Sequence, residues 1–121
     1  GQLLASTHVL VHPSLHDSGG WVCPEAMALG KAVICLNLGG PGAQVSEATG
    51  IRVEPAGYDE TVDRLAAAMQ SLAADRNRLR EMGLDGRQEV ADRYIWENKC
   101  TYYSSIYQQV VVAPKDGDTH A

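Results

Sequence analysis

Two short apolar runs, at residues 9–11 and 32–36, and a third short segment at residues 51–53, with Arg52 between two β-branched residues, are the clearest pattern in the first half of the chain. They are rich in β-branched residues and are followed closely by turn residues such as Pro13 and Pro55, which is typical of buried strands. Residues 22–29 are expected to form a short helix, with Pro24 in its first turn and Gly30 at its C-cap. We also expect the end of a helix at residues 2–6 and a helical turn at residues 44–47.

In the second half, apolar residues recur at steps of three and four, which predicts an amphipathic helix. Asp59 is the expected N-cap of this helix. The apolar positions are Val62, Leu65, Ala66, Met69, Leu72 and Ala73. A second helix is expected at residues 75–82, with Gly83 and Gly86 interrupting it, and a last helix at residues 97–110. We expect one domain at residues 1–113 and a disordered polar tail at residues 114–121.

The alternation of strands and helices predicts an α/β fold, with a small parallel sheet and helices on both faces. A sheet of only three strands leaves one long edge without a partner strand. The pattern therefore indicates part of a larger domain. We also expect the open edge to favour self-association.

Composition narrows the function classes. The chain has 121 residues and a formal net charge of -5, which argues against nucleic-acid binding because that depends on Lys and Arg. Cys23, Cys35 and Cys100 form no C-x-x-C pair, so reduced thiols and a cytoplasmic location are expected. No apolar run has the length of a membrane span. Because the first residues resemble the middle of an element, we expect further sequence upstream.

The segment after the first predicted strand contains most of the residues suited to binding a ligand. Residues 13–22 of this segment form what we call the glycine loop. In parallel sheets, ligands bind beyond the carboxyl ends of the strands. Gly19 and Gly20 allow close approach of a ligand to the backbone, and the following helix start offers unpaired amides to a diphosphate. Asp17 and Glu25, with seven residues between them, provide carboxylate acceptors suited to vicinal hydroxyls.

This spacing resembles the E-x7-E motif of retaining glycosyltransferases of the GT-B fold, most closely those of family 4 (group 1). Further similar segments lie at residues 8–14, 25–33, 39–41, 49–53, 86–87 and 94–97. The resemblance implies the C-terminal part of a Rossmann-like nucleotide-sugar-binding domain. The implied reaction is hexosyl transfer from a nucleotide diphosphate-sugar, with retention at the anomeric carbon and without a bound metal or other cofactor.

The resemblance also implies residue roles. Asp17 and Glu25 are the implied catalytic pair: Glu25 holds the donor ribose and Asp17 faces hydroxyls of the donor sugar. The other implied donor-binding residues are His16, Ser18, Gly19, Gly20, Trp21 and Val22. The sequence departs from the family pattern where Asp17 replaces Glu, where Gly20 lies in place of part of an aromatic-containing segment, and at Ala43 and Ile95.

The implied partners are the donor and an N-terminal acceptor-binding domain of the same protein. The resemblance implies that this domain and the family's basic pair for the diphosphate lie upstream of this chain, so the chain alone is expected to be inactive. The parent protein is expected to be cytoplasmic, with peripheral membrane association left open. Two alternatives also stay open: a non-catalytic α/β binding or assembly module, and a fragment of a GT-B nucleotide-sugar epimerase.

Single residues have simpler interpretations too. Asp17 alone could be a loop cap, and Glu25 an exposed first-turn carboxylate favoured by the helix dipole. The spacing of His8, His12 and His16 suggests a metal site, but a strand places His8 and His12 about 13 Å apart. No metal site is therefore predicted. We expect Cys23 and Cys35 to face the core, and an aromatic face at Tyr102, Tyr103 and Tyr107 to be exposed without the missing domain.

Overall fold

The computed structural model describes residues 2–112, which form three strands and six helices. In chain order the elements are α1 (Gln2–Ala5), β1 (Val9–His12), α2 (Val22–Ala28), β2 (Ala32–Leu36), α3 (Gly39–Gln44), β3 (Gly50–Val53), α4 (Tyr58–Ala74), α5 (Arg76–Arg93) and α6 (Trp96–Val112). The predicted tail at residues 114–121 lies outside the described residues. The predicted α/β class is confirmed.

The three strands form a parallel sheet in the order β1-β2-β3. Val11 pairs with Ile34, and Ile34 in turn pairs with Ile51. All five residues of the central strand β2 are buried, whereas every residue of β1 is only half-buried. The described sheet therefore has two edges, β1 and β3, and no residue of β1 is fully buried.

Alternate side chains of β2 enter two separate cores, because successive strand residues point to opposite faces. Ala32, Ile34 and Leu36 pack with Ala68 and Leu72 of α4. On the other face Val33 and Cys35 belong to a cluster that also holds Cys23, Ala26 and Met27 of α2 and Val45. Helices therefore cover both faces, and both buried cysteines face the core as predicted.

The predicted interruption of the fifth helix at Gly83 and Gly86 is wrong. Helix α5 is continuous, and both glycines are buried within it. A Cβ on Gly83 would lie 2.9 Å from the carbonyl carbon of Gly30, and one on Gly86 would lie 3.2 Å from Cγ of Met27. These glycines let α5 approach α2 closely, so packing against the neighbour outweighs the low helix propensity of glycine.

Two helix starts also differ from prediction. Helix α3 covers Gly39–Gln44, rather than a turn at residues 44–47, and the backbone of its N-cap, Leu38, is extended. Pro41 lies in its first turn, where a missing amide leaves no hydrogen bond unmade. Helix α4 begins at Tyr58 after Gly57, so Asp59 lies in the first turn and is not the cap.

The last two helices, α5 and α6, complete the described structure. Asp75 is the N-cap of α5 and accepts a hydrogen bond from the Arg78 amide at 2.9 Å. On α6 the aromatic residues Tyr102, Tyr103 and Tyr107 are exposed, as predicted. Within residues 2–112, no helix is long and apolar enough to cross a membrane.

Candidate functional site

The glycine loop leaves the carboxyl end of β1 and rests on the backbone that follows β2. The amide of Gly40 donates a hydrogen bond to the backbone carbonyl of Asp17 at 2.8 Å. A Cβ on Gly40 would lie 2.8 Å from both Cα and N of Gly19. The approach of these two segments thus requires glycine at position 40, and it places residues 17–20 beside the first turn of α3.

The Asp17 carboxylate organises the loop from within. Its Oδ1 accepts hydrogen bonds from the amides of Gly19 at 3.1 Å and Gly20 at 2.6 Å. Its Oδ2 lies 3.0 Å from Nε2 of His12, the last residue of β1. The Gly19 hydrogen bond, followed by those from His12 and Gly20, lowers the pKa of the Asp17 carboxyl from its ordinary 3.8. The carboxylate is therefore held ionised and fixed in orientation.

The two glycines of the loop have different requirements. A Cβ on Gly20 would collide with the Asp17 carboxylate, approaching its Cγ to 2.9 Å. A Cβ on Gly19 would meet nothing within 4 Å. Position 20 therefore needs glycine to admit the carboxylate, whereas position 19 leaves space open towards solvent.

Glu25 lies in the first turn of α2, with its side chain exposed. Its amide donates to the carbonyl of Trp21 at 2.8 Å, which fixes the start of the helix relative to the loop. Asp17 and Glu25 therefore differ in how far their carboxylate oxygens are available to a ligand. The Asp17 oxygens are engaged within the chain, whereas the Glu25 carboxylate is presented to solvent.

The remaining candidate residues fall into two groups. His16 and Ser18 are exposed on the loop, and Trp21 exposes 58% of its surface. Val22 is half-buried and packs against the core cluster of α2, so its side chain faces away from solvent. The loop can thus offer a ligand the His16, Ser18 and Trp21 side chains, but only the backbone of Val22.

Three residues near the loop were not among the predicted site residues. The sequence suggests His12 only as a metal ligand, a role that the strand spacing argues against, whereas in the structure its Nε2 lies 3.0 Å from Oδ2 of Asp17. Gly39 adopts a left-handed φ of 51° at the start of α3, and Gly40 holds the Asp17 carbonyl. The signal for His12 was its position at the end of a strand, five residues before the carboxylate. The glycines were visible as part of the similar segment at residues 39–41.

Other reactive groups do not join the loop. Among the described residues, no group of three or more His, Cys, Asp or Glu side chains could hold a metal ion. Burial raises the pKa of Cys23 to about 12 and that of Cys35 to about 11. At these values the thiols stay protonated near neutral pH, which fits a packing role and not a nucleophilic one.

Comparison with known proteins assigns the chain to a family. The model of glycosyl transferases group 1 matches residues 1–89. An alpha-maltose-1-phosphate synthase of Mycolicibacterium smegmatis is 34% identical over 112 residues, which is 90% of this chain and 29% of that protein. A D-inositol 3-phosphate glycosyltransferase of Corynebacterium efficiens is 34% identical over 90% of this chain and 25% of its own length.

Solved structures agree with this match. Sucrose-phosphate synthase from Thermosynechococcus elongatus superposes with a TM-score of 0.76 and 33% identity, over 92% of this chain and 27% of that one. Anabaena HepE in complex with UDP gives a TM-score of 0.72 at 22% identity, over 91% of this chain and 29% of that one, which shows a shared fold. The chain therefore belongs to the glycosyl transferases group 1 family and has the fold of part of a GT-B glycosyltransferase domain.

Proposed function

We propose that this chain forms part of the donor site of a retaining glycosyltransferase, which transfers a hexose from a nucleotide diphosphate-sugar. The observation that carries the proposal is the exposed carboxylate of Glu25, one helical turn beyond a glycine loop at the carboxyl end of β1. In parallel α/β sheets this end of the strands is where ligands bind. The nucleotide UDP in the HepE structure and the names of the matched transferases and synthases support a nucleotide-sugar donor.

Glu25 is assigned to the donor ribose. Two carboxylate oxygens can accept hydrogen bonds from two adjacent hydroxyls, and hydrogen bonds to a charged group contribute about 1.5–3 kcal/mol each. The exposure of Glu25 leaves both oxygens open to such a ligand. The assignment therefore needs no change in the fold of α2.

Asp17 is assigned a narrower role than Glu25. Its Oδ1 already accepts from the Gly19 and Gly20 amides, so this oxygen and these amides hold the loop. Each carboxylate oxygen has two lone pairs. Oδ2, bonded to His12 at 3.0 Å, therefore keeps one acceptor position for a hydroxyl of the donor sugar.

The other contacts come from the exposed part of the loop. The side chains of His16, Ser18 and Trp21 are assigned to the sugar and diphosphate, together with the backbone at Val22. No metal or other cofactor is assigned, since the loop offers both hydrogen-bond donors and hydrogen-bond acceptors to the nucleotide sugar. The acceptor is assigned to the part of the parent enzyme beyond this chain, and the isolated chain is proposed to be inactive in transfer.

The proposal is tested in the full-length parent by measuring binding of UDP-glucose and related donors by calorimetry, together with donor hydrolysis. Loss of the Glu25 hydrogen bonds predicts that Glu25→Ala weakens donor binding by about 10- to 100-fold. Glu81→Ala, which removes an exposed carboxylate from α5, is the matched control and should bind as the wild type does. Unchanged affinity in Glu25→Ala for every donor tried would sink the role of Glu25.

A second candidate is a non-catalytic α/β binding or assembly module. It is favoured by the geometry at Asp17, because a carboxylate that is hydrogen-bonded to His12, Gly19 and Gly20 stabilises the loop even without a ligand. A parent protein that binds no nucleotide sugar, with its glycine loop intact by NMR, would favour this candidate over the transferase.

A further inference from the structure

A small cavity with a basic lining lies at the amino end of the sheet and has a volume of about 230 Å³. Its lining residues are His8, Gly30, Lys31, Arg76, Leu79 and Arg80. None of them belongs to β1, to α6 or to the glycine loop. His8 precedes β1 and the glycine loop follows it, so the four residues of this strand separate the cavity from the loop by about 13 Å. The cavity is therefore separate from the candidate donor site.

One part of the cavity comes from the segments that enter β1 and β2. Val9 pairs with Ala32 in the sheet, so the residues that precede them, His8 and Lys31, are neighbours. Nζ of Lys31 donates a hydrogen bond to the backbone carbonyl of Ala5 at 3.3 Å. Since a lysine ammonium has three donors, this bond uses one of them and holds the ammonium beside the cavity.

The other part comes from α5. Arg76 and Arg80 are exposed and lie four residues apart, a spacing that places two side chains on one face of a helix. A Cβ on Gly83 would collide with the backbone of Gly30, so α5 packs directly against the turn between α2 and β2. That turn also carries Lys31. The packing of α5 on the turn thus brings the three basic residues to one place.

This cluster of positive charge lies in a chain with a formal net charge of -5. Three of the ten Lys and Arg residues line the cavity, and none of its lining residues is acidic. The carboxylate of Asp75 accepts a hydrogen bond from the Arg78 amide as the cap of α5. Within residues 2–112, none of the ion pairs involves Lys31, Arg76 or Arg80. Because like charges repel each other, an anion is the ligand that this cavity suits.

We propose that the cavity binds a compact diphosphate anion. Arginine guanidinium groups can donate two hydrogen bonds at once to phosphate oxygens, and a monovalent anion would leave most of the positive charge unpaired. The volume of about 230 Å³ lies below the roughly 300–1,000 Å³ of sites for larger organic ligands, which favours a compact ion. A concave lining also favours a small anion over the flat surface of a membrane. The proposal does not rest on the proposed function.

A bound diphosphate would bridge two parts of the fold. Arg76 and Arg80 would hold it from α5, and Lys31 would hold it from the turn between α2 and β2. A ligand that binds only the folded state stabilises that state. Binding should therefore raise the unfolding temperature as well as shift local resonances.

The test uses the 121-residue chain and follows the Gly30 and Leu79 amide resonances by NMR during titration at constant ionic strength. The probes are pyrophosphate, inorganic phosphate and chloride. We expect saturable binding of pyrophosphate in the millimolar range, weaker binding of phosphate and no saturation with chloride. Thermal unfolding should show a higher Tm with pyrophosphate than with phosphate.

Variants on α5 test the geometry of the site. Arg76→Gln and Arg80→Gln should each weaken pyrophosphate binding by about tenfold, because each removes charge-assisted hydrogen bonds. Arg78→Gln is the matched control, since Arg78 is an exposed arginine on the same part of α5 that does not line the cavity. It changes the net charge equally and should stay within about twofold of the wild-type affinity because salt screens its charge. Equal affinity in the wild type and Arg80→Gln would overturn the proposal, as would an equal loss in all three variants.

UDP distinguishes the two sources of a diphosphate group. Shifts at Gly30 with UDP as well as with pyrophosphate would support the site and show that it accepts the diphosphate of a nucleotide. Shifts at Gly30 with pyrophosphate alone would support it as a site for the free ion. A titration of the full-length parent with UDP, read at Gly19 and Glu25, tests the donor site separately, so failure of one proposal is distinguishable from failure of the other.

Other outcomes would overturn the proposal. The absence of saturable shifts at Gly30, or shifts spread evenly over exposed amides, would show an adventitious ion only. Dependence of the Gly30 resonance on protein concentration alone would show that a second copy covers the cavity. Absence of the pyrophosphate shifts in the full-length parent would show that another part of the protein covers it. Binding to phosphatidylglycerol vesicles that pyrophosphate does not displace, lost in Arg80→Gln, would show a membrane surface as the partner instead.

Discussion

Nε2 of His12 lies 3.0 Å from Oδ2 of Asp17, which joins the last residue of β1 to the glycine loop. The two side chains expose only 22% and 20% of their surface. The contact therefore sets the direction of the carboxylate before any ligand arrives. It also makes the loop sensitive to the protonation of Asp17.

The first prediction concerns acid pH. The hydrogen bond from Gly19, followed by those from His12 and Gly20, depresses the pKa of Asp17 in the folded state below 3.8. A depressed folded pKa gives stability that is present above the unfolded pKa and is lost as pH falls through the folded value. We expect the Gly19 and Gly20 amide resonances to titrate with a midpoint below 3.8.

Variants of the histidines test the cause of that shift. His12→Ala should raise the Asp17 midpoint towards its ordinary value, because one hydrogen bond to the charged form is lost. His16→Ala, which alters the exposed neighbour of Asp17, should leave the midpoint unchanged. An equal midpoint in wild type and His12→Ala would contradict the assigned role of His12.

The second prediction concerns the contact between the glycine loop and α3. Gly40→Ala places a Cβ 2.8 Å from Cα and N of Gly19, and such overpacking costs about 1–3 kcal/mol of unfolding free energy. Gly19→Ala adds a Cβ that meets nothing within 4 Å, so a change within about 0.5 kcal/mol is expected. Urea denaturation of the two variants measures the difference, and equal stability would show that the loop moves freely.

The third prediction concerns the contact between Gly83 and Gly30. Alanine in a helix interior gains about 1 kcal/mol over glycine, so Gly83→Ala would be stabilising if propensity decided the outcome. We expect the opposite, a net loss of about 1–2 kcal/mol, because the new Cβ collides with the Gly30 carbonyl and overpacking outweighs propensity. Thermal unfolding measures the sign. Asp85→Ala, at an exposed position of α5, is the control and should not destabilise.

The fourth prediction concerns thiol reactivity. Cys100 is exposed, whereas Cys23 and Cys35 are fully buried. Burial also raises the pKa of Cys23 to about 12 and that of Cys35 to about 11, and only the thiolate reacts. Iodoacetamide at neutral pH should therefore label Cys100 alone in the folded chain and all three residues after unfolding. Fast labelling of Cys35 in the folded chain, read by mass spectrometry, would refute the packing assigned to it.

The fifth prediction concerns self-association through the edge of the sheet at β1. An apolar groove lies beside Val9 and has a volume of about 380 Å³. We expect the isolated chain to associate through this edge as concentration rises, because an unpaired strand is a template for pairing. Val9→Lys should suppress association in light scattering, whereas Val111→Lys on exposed α6 should not. The reverse result would place the contact on α6, and a monomeric wild type at high concentration would exclude association.

The sequence by itself determined the α/β class, the three strands and the location of the glycine loop. These follow from local signals: short β-branched runs, the three-and-four periodicity from Val62 to Leu72, and turn residues such as Gly30. Asp17 and Glu25 were also visible, because their spacing is a property of the chain alone. The resemblance drawn from these residues led to the family that the comparisons confirm.

Only the tertiary structure decided what the loop residues contact. The low helix propensity of Gly83 predicts a break in the helix, but α5 is continuous through it. The reason is its contact with Gly30, which lies 53 positions away along the chain. For the same reason, the sequence does not reveal the hydrogen bond between the Gly40 amide and the Asp17 carbonyl. Nor does it reveal the contact between the rings of Trp21 and Tyr94. Propensity and periodicity act over a few residues, whereas these contacts depend on how the sheet brings distant segments together.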